Sequence, residues 1–453
     1  MKQFNPLVVI VLALVTACNA FSTPTPVPTV TPLPSPTTKP SPVPSPSPTL
    51  QPSPTASLAV NPTLVTQLAV PSIEAVATAW SFDGSLFALA RLQRGLTIYQ
   101  TQDFKPVQSI TFDKPMVSFS DYTAGDPPNN RHGVLAFSPD GQWLATAHAD
   151  NTVRLWNTTT ANLQLKLSTE FQPGSIAFTP NTNFVAAGEL NDKSTESGPG
   201  RPALTELWSV KTGKLVTKVV GRANSAPLVF FSDNKTLVIR EQIADSDSRG
   251  HPGALRVMQL TDAGIALLWE KKNRLPISSV QISPDGSSIT AVWVDDVMGA
   301  QHLSAWDAQT GNELFTWKPA STSGAIYLYP IPNRNIFAAW VTREKMVHLF
   351  ETGTGREIKN WPLPTVEGDS DARFAYFSPS GRILAREVWT WPQRKGAQSA
   401  QAEFFTDETG GLMKTLGDAW LFPSLGNSPF NPKTGWLATR SNDGSIKIWS
   451  GIP

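Results

Sequence analysis

The 453 residues include 37 Lys and Arg against 36 Asp and Glu, a formal net charge of +1. A chain so balanced lacks the basic excess that neutralises phosphates, so no nucleic-acid partner is expected. A single cysteine, Cys18, excludes an internal disulfide framework and leaves packing to hold the core, for which 15 Trp and 22 Phe supply large apolar surfaces.

The first element in chain order is a short apolar run. Lys2 gives a positive start, and residues 7–14 are unbroken apolar, the length of a signal-peptide core and far short of the roughly 20 residues that span a bilayer. The small residues Thr16 and Ala17 then lead into Cys18. Val15-Thr16-Ala17-Cys18 resembles a bacterial lipobox. That resemblance implies a signal peptide over 1–17 and a mature chain that starts at an acylated Cys18 held in membrane lipid. It places the protein on the outer face of a bacterial membrane, at the cell surface or in the periplasm. Ordinary cleavage near Ala20, which would discard Cys18, is the alternative.

Residues 18–58 read as a stalk. From 22 to 55 proline recurs at nearly every second or third position among Ser and Thr, with Lys39 the one charge, so there is almost nothing to bury. Such a segment favours extended polyproline II, and at ~3.1 Å per residue it reaches roughly 100 Å. Its Ser and Thr are candidate O-glycan acceptors.

Residues 59–453 repeat. "WSFDGSLFALA" (80–90), "FSPDGQWLATA" (137–147), "FTPNTNFVAAG" (178–188), "FSDNKTLVIR" (231–240), "ISPDGSSITAV" (282–292), "PIPNRNIFAAW" (330–340), "FSPSGRILARE" (377–387) and "FNPKTGWLATR" (430–440) share one pattern. Each is an apolar strand, a turn of Pro, Asp, Asn or Gly, and an alternating strand. Pro presets the second turn position and Gly or Asn accepts the positive φ that follows, so each reads as a β-hairpin. A third strand ending in an aromatic follows in most units, as in "VRLWN" (153–157), "LSAWD" (303–307) and "IKIWS" (446–450). A "TG" turn and a fourth strand come next in several, as in "AQTGNELFTW" (308–317). Four strands per unit of 41 to 57 residues is the blade of a β-propeller, an all-β fold of four-stranded antiparallel blades.

The units resemble WD repeats, best in 132–157 and 428–450, and more distantly the six-bladed TolB-like periplasmic propellers. The family's structural Asp matches Asp150 and Asp443. Trp306-Asp307 is the one Trp-Asp pair and Gly250-His251 the one Gly-His pair. The family's His-Ser-Asp network is therefore expected to be largely missing, with aromatic packing in its place. The last unit stops one strand short, and "LVTQLAV" (64–70) has no hairpin partner of its own. Pairing the two closes a ring of eight blades from first and last strands and removes two exposed edges. Seven blades is the alternative if the divergent unit near 325–365 packs differently.

The insertions identify a candidate binding face. Long second-to-third connections are read at 189–203, 241–254, 295–301 and 388–401, and long blade-to-blade connections at 119–132 and 416–427. Both kinds open on one end of a propeller, whereas the hairpin turns of the other end stay short. Candidate contact residues in these loops are Glu189, Asp192, Arg201, Asp245, Asp247, Arg249, His251, Asp295, Asp296, Trp389, Trp391, Arg394 and Lys395. The two tryptophans beside Arg394 and Lys395 suit a protein or a glycan surface. Asp245, Asp247 and His251 offer metal-type ligands, but a lone D-x-D assigns no metal.

Neither catalysis nor a cofactor is expected. The five histidines are scattered and no phosphate loop or nucleophile elbow occurs. Ser232-Asp233-Asn234-Lys235 imitates two β-lactamase motifs but sits where the other units place their hairpin turn. The reading is a monomeric, membrane-anchored scaffold for a protein partner. A glycan- or cell-wall-binding propeller, or an enzyme using the central channel, are the alternatives.

Overall fold

The computed structural model describes residues 59–453 other than 71–75, 118, 121–130, 133, 190–203, 221–227, 231–232, 243–252, 262–263, 274, 276, 296–299, 322–323, 365–369, 391–398 and 422–427. Residues 1–58, read above as signal peptide and stalk, lie outside the described residues. Every turn cluster read from the sequence closes a hairpin, and the strands assemble into eight four-stranded antiparallel blades. Blades 1 to 7 span 76–111, 135–168, 173–220, 228–273, 277–317, 326–362 and 370–417. Blade 8 combines Trp420–Leu421, Leu437–Arg440 and Ile446–Ser450 with Thr63–Leu68 from the other end of the sequence. The divergent unit at 326–362 forms a regular blade, so the count is eight.

First strands of neighbouring blades lie side by side, blade 1 against 2, 3 against 4, 5 against 6 and 6 against 7, so they surround the axis. The fourth strands form the rim. Antiparallel order puts the second-to-third connections at one end and both kinds of tight turn at the other. Hydrogen bonds tie the two turns of a blade together there: Thr101 and Thr158 donate through Oγ1 to Gly84 O and Gly141 O at 2.8 and 2.7 Å.

One feature recurs in all eight blades. The register between third and fourth strands slips beside the residue that ends the third strand's apolar run: Tyr99, Trp156, Trp208, Met258, Trp306, Phe350, Phe405 and Trp449. A bulge adds a residue to one strand and bends it. Here it lets the outer strand curve round a large side chain that packs inward, and six of these eight residues are buried.

The structure differs from the sequence reading at two insertions. In blade 2, Met116 bridges His148, Val117 N bonds Ala147 O, and Leu135–Phe137 pairs with Trp143–His148. In blade 8, Trp420–Leu421 pairs with Arg440 and Thr439, while Phe430 bridges Leu437. Segments 118–133 and 422–429 therefore interrupt the innermost strands of blades 2 and 8 instead of connecting blades. The cause is burial. Met116, Val117, Ala419, Trp420 and Leu421 are each at most 7% exposed, so both short apolar runs enter the core before the insertion begins.

Blade 2 also contains a polar network of the kind that the sequence reading expected to be largely missing. Trp156 Nε1 donates to Thr146 Oγ1 at 2.9 Å, Thr146 Oγ1 and His148 Nε2 are 2.8 Å apart, and His148 Nδ1 lies 2.9 Å from Lys114 O. A carbonyl only accepts, so Nδ1 carries the proton and the threonine hydroxyl donates to Nε2. The histidine comes from the second strand itself, two residues after Thr146, so its sequence carries no Gly-His signature.

Burial lowers the His148 pKa from 6.5 to about 4, and the nearby Arg154 acts in the same direction. The unfolded chain takes up this proton first as pH falls. The stability His148 contributes is therefore complete above about pH 6.5 and is lost progressively towards pH 4. The gap corresponds to about 3 kcal/mol. Urea unfolding at about pH 7.5 and about pH 4.5 should show this loss, and the His148→Gln variant should show a flatter dependence.

Candidate functional site

The end of the ring that carries the second-to-third connections holds the candidate residues. Glu189 closes the second strand of blade 3, half-buried, and its Oε2 accepts the Leu204 N–H at 3.0 Å. It staples the two ends of the 190–203 connection. Asp295 is exposed at the corresponding place in blade 5, where its backbone N–H donates to Ala300 O at 2.7 Å. Its carboxylate bonds His302 Nδ1 and lies 3.3 Å from Lys318 Nζ, so one acidic group joins three strands of the blade. Trp389 lies in the strand Ile383–Thr390, opposite Asp371 and Ala400. Cys18, Asp192, Arg201, Asp245, Asp247, Arg249, His251, Asp296, Trp391, Arg394 and Lys395 lie outside the described residues.

Beneath this end runs a charged layer that the sequence reading missed. The polar residue inside each third-strand apolar run faces a polar residue on the fourth strand: Arg154 opposite Lys166, Glu206 opposite Lys218, Arg256 opposite Glu270 and His348 opposite Asn360. Arg154, 1% exposed, binds Asp113 and, at 3.0 Å, Asp150. Burial opposes ionisation of Asp150, but hydrogen bonds from Thr152, Lys166 and Arg154 outweigh it and hold the carboxyl at about 2. Burial pushes the Glu206 carboxyl up despite Lys218 at 3.5 Å. In blade 7, Glu403 meets the buried Arg386, which also donates to Pro364 O at 3.1 Å. A polar residue interrupting each Φ-x-Φ-aromatic run is the signal that could have found this layer; a complementary charge one strand later follows it only in blades 3 and 4.

Among the described residues no group of three or more His, Cys, Asp or Glu is placed to hold a metal ion. The arrangement is a set of internally neutralised blades carrying insertions at one end, which is suited to recognition by shape and hydrogen bonding.

The WD domain, G-beta repeat family matches residues 132–157 and 424–450. They lie in the two blades where the third-strand tryptophan donates to a second-strand threonine, Trp156 to Thr146 and Trp449 to Thr439, the latter at 2.8 Å. The propeller resembles the crystal structure of the C-terminal WD40 domain of Sif2. Identity is 14%, the TM-score is 0.58, and the match covers 87% of this chain and 99% of that one. It also resembles the computationally designed Ika8 protein at 15% identity and a TM-score of 0.54, over 85% of this chain and 99% of that one. At such identities the likeness shows the fold alone. The ribosome biogenesis protein BOP1 homolog of Dictyostelium discoideum is 31% identical over 86 residues, 18% of this chain. The match spans a tenth of that relative's length.

Proposed function

We propose that this WD-repeat propeller is a non-catalytic scaffold, anchored by an acylated Cys18 to the outer face of a bacterial membrane and displayed on a proline-rich stalk to capture a protein partner. The observation that carries the reading is the one-ended distribution of insertions. Segments 190–203, 243–252, 296–299 and 391–398 all connect second to third strands. The two inner-strand interruptions lie level with Ala147 and Thr439, near that same end. Loops that lengthen on one end of a repeat array while the other stays tight mark a binding face. The described chain enters the ring at the other end, where Asn61 N bonds Gly451 O at 3.0 Å.

The test has two arms. The Cys18→Ala variant should move from the membrane fraction to the soluble one. Affinity capture from solubilised envelope should recover a protein that is lost when Trp389, Trp391 and Arg394 are replaced together by alanine. Retention of the Cys18→Ala variant in membranes sinks the anchor, and equal recovery by both baits sinks the face.

A further inference from the structure

Blade 3 carries an irregularity at the tight-turn end, opposite the proposed binding face. In the first hairpin turn of blades 1, 2, 5 and 7 the left-handed position belongs to Gly84, Gly141, Gly286 and Gly381, all with φ of 70–71°. In blade 3 it belongs to Thr182, at φ 61°. A β-branched residue there is an outlier, and such strain persists where the surroundings or a function require the side chain. Thr182 is 5% exposed, and its hydroxyl has no hydrogen-bond partner among the described residues. Glycine would relieve the strain and remove the orphaned hydroxyl at once. The threonine marks blade 3 as a blade whose turn departs from the glycine pattern.

Thr182 lines a cavity of about 400 Å³ in the seam between blades 2 and 3, within the range of small-molecule sites. The seam is open for an identifiable reason. In blades 5, 6 and 7 the turn glycine before the fourth strand presses on an aromatic of the preceding blade: Gly311 on Trp269, Gly355 on Phe315, Gly410 on Trp361. In blade 3 the corresponding Gly213 meets only Leu165. The smaller side chain leaves the gap that an indole or phenyl fills elsewhere.

The lining has a definite chemistry. Trp143 offers a half-buried indole. Around it stand the Gln164 and Asn183 amides and the Lys211 ammonium, which the described residues leave without hydrogen-bond partners. Asp140 uses Oδ1 for the Ser138 hydroxyl, at 2.6 Å, and for Gln142 N, at 3.0 Å, which leaves Oδ2 to a ligand. A flat apolar ring edged by short donors and acceptors of both kinds matches a pyranose. The sugar's C–H face stacks on the indole while its hydroxyls both donate and accept. A single ammonium opposed by a carboxylate does not suit a phosphate.

We propose that the cleft between blades 2 and 3 binds a single pyranose unit, with Trp143 as platform and Asp140 and Asn183 as hydroxyl partners. The proposal is independent of the scaffold reading, because it concerns the opposite end of the ring. The test uses the full chain and free glucose, galactose, mannose and N-acetylglucosamine, followed by tryptophan fluorescence and titration calorimetry. At least one sugar should saturate the site with a change in indole emission. Trp143→Ala and Asp140→Ala should each weaken binding by roughly tenfold or more. Leu165→Trp should close the seam and abolish binding with the melting temperature kept or raised. Failure of all four sugars to bind, or binding that survives both Leu165→Trp and Trp143→Ala, overturns the proposal.

Discussion

Removal of Ala59–Leu68 is expected to abolish cooperative folding of the propeller. Thr63–Leu68 is the fourth strand of blade 8 and pairs with Ile446–Ser450 through five residue pairs. Gln67 Nε2 donates to Ser445 Oγ at 2.9 Å. Val60, 5% exposed, packs with Phe404, Phe430 and Ile452 in the seam between blades 7 and 8. Without this strand the third strand of blade 8 becomes an open edge, and Ile446 and Ile448, each at most 1% exposed, lose their cover. The loss is about 5 kcal/mol or more, comparable to the whole stability of a typical domain. Size-exclusion chromatography and thermal unfolding of 69–453 beside 59–453 provide the measurement. Aggregation or a non-cooperative melt of the shorter chain is expected, with partial rescue by a peptide of residues 59–70 added in trans. A monomeric 69–453 with an unchanged melting temperature would show that the ring does not depend on this pairing.

The second large effect concerns Arg386. Its side chain is 3% exposed, binds Glu403 through Nε at 3.1 Å and through a second nitrogen, and lies 5.0 Å over the Phe405 ring. Glu403→Leu leaves that guanidinium buried without its carboxylate and should cost about 3–5 kcal/mol in urea unfolding. The double variant Arg386→Met, Glu403→Leu replaces both charges by apolar side chains of similar size and should recover most of the loss. Recovery on that scale is a coupling that a double-mutant cycle measures directly. If Glu403→Leu costs no more than a surface substitution, the pair contributes little and the blade 7 core rests on its apolar members alone.

Sequence reasoning went furthest where the governing interactions are local. Hairpins at 81–85, 138–142 and 283–287 follow from Ser, Asp and Gly placed within five residues. In the structure Ser81, Ser138 and Ser283 donate to Asp83, Asp140 and Asp285 at 2.6, 2.6 and 2.7 Å, with the glycine at positive φ. Closure by 64–70 was legible for the same reason: a lone alternating strand and a unit one strand short each have an unpaired edge. The interrupted strands of blades 2 and 8 were not, because Met116–Val117 and Trp420–Leu421 are too short to announce a strand. They become one only when a partner strand is already in place. Most of the candidate contact residues lie outside the described residues. Of the two whose side chains are described, Glu189 serves as a staple and Asp295 as a link between strands.

By itself the sequence determined the position of each hairpin turn and the ring's closure, since these depend on turn chemistry and alternation within a few residues, and it left the count at eight blades or seven. The tertiary structure decided what those signals cannot carry. It set which insertions interrupt the inner strands, which buried charges pair across third and fourth strands, and where the seam between blades stays open. Those outcomes depend on side chains from different strands and blades, such as Leu165 against Gly213, whose distance is fixed only once the ring has formed.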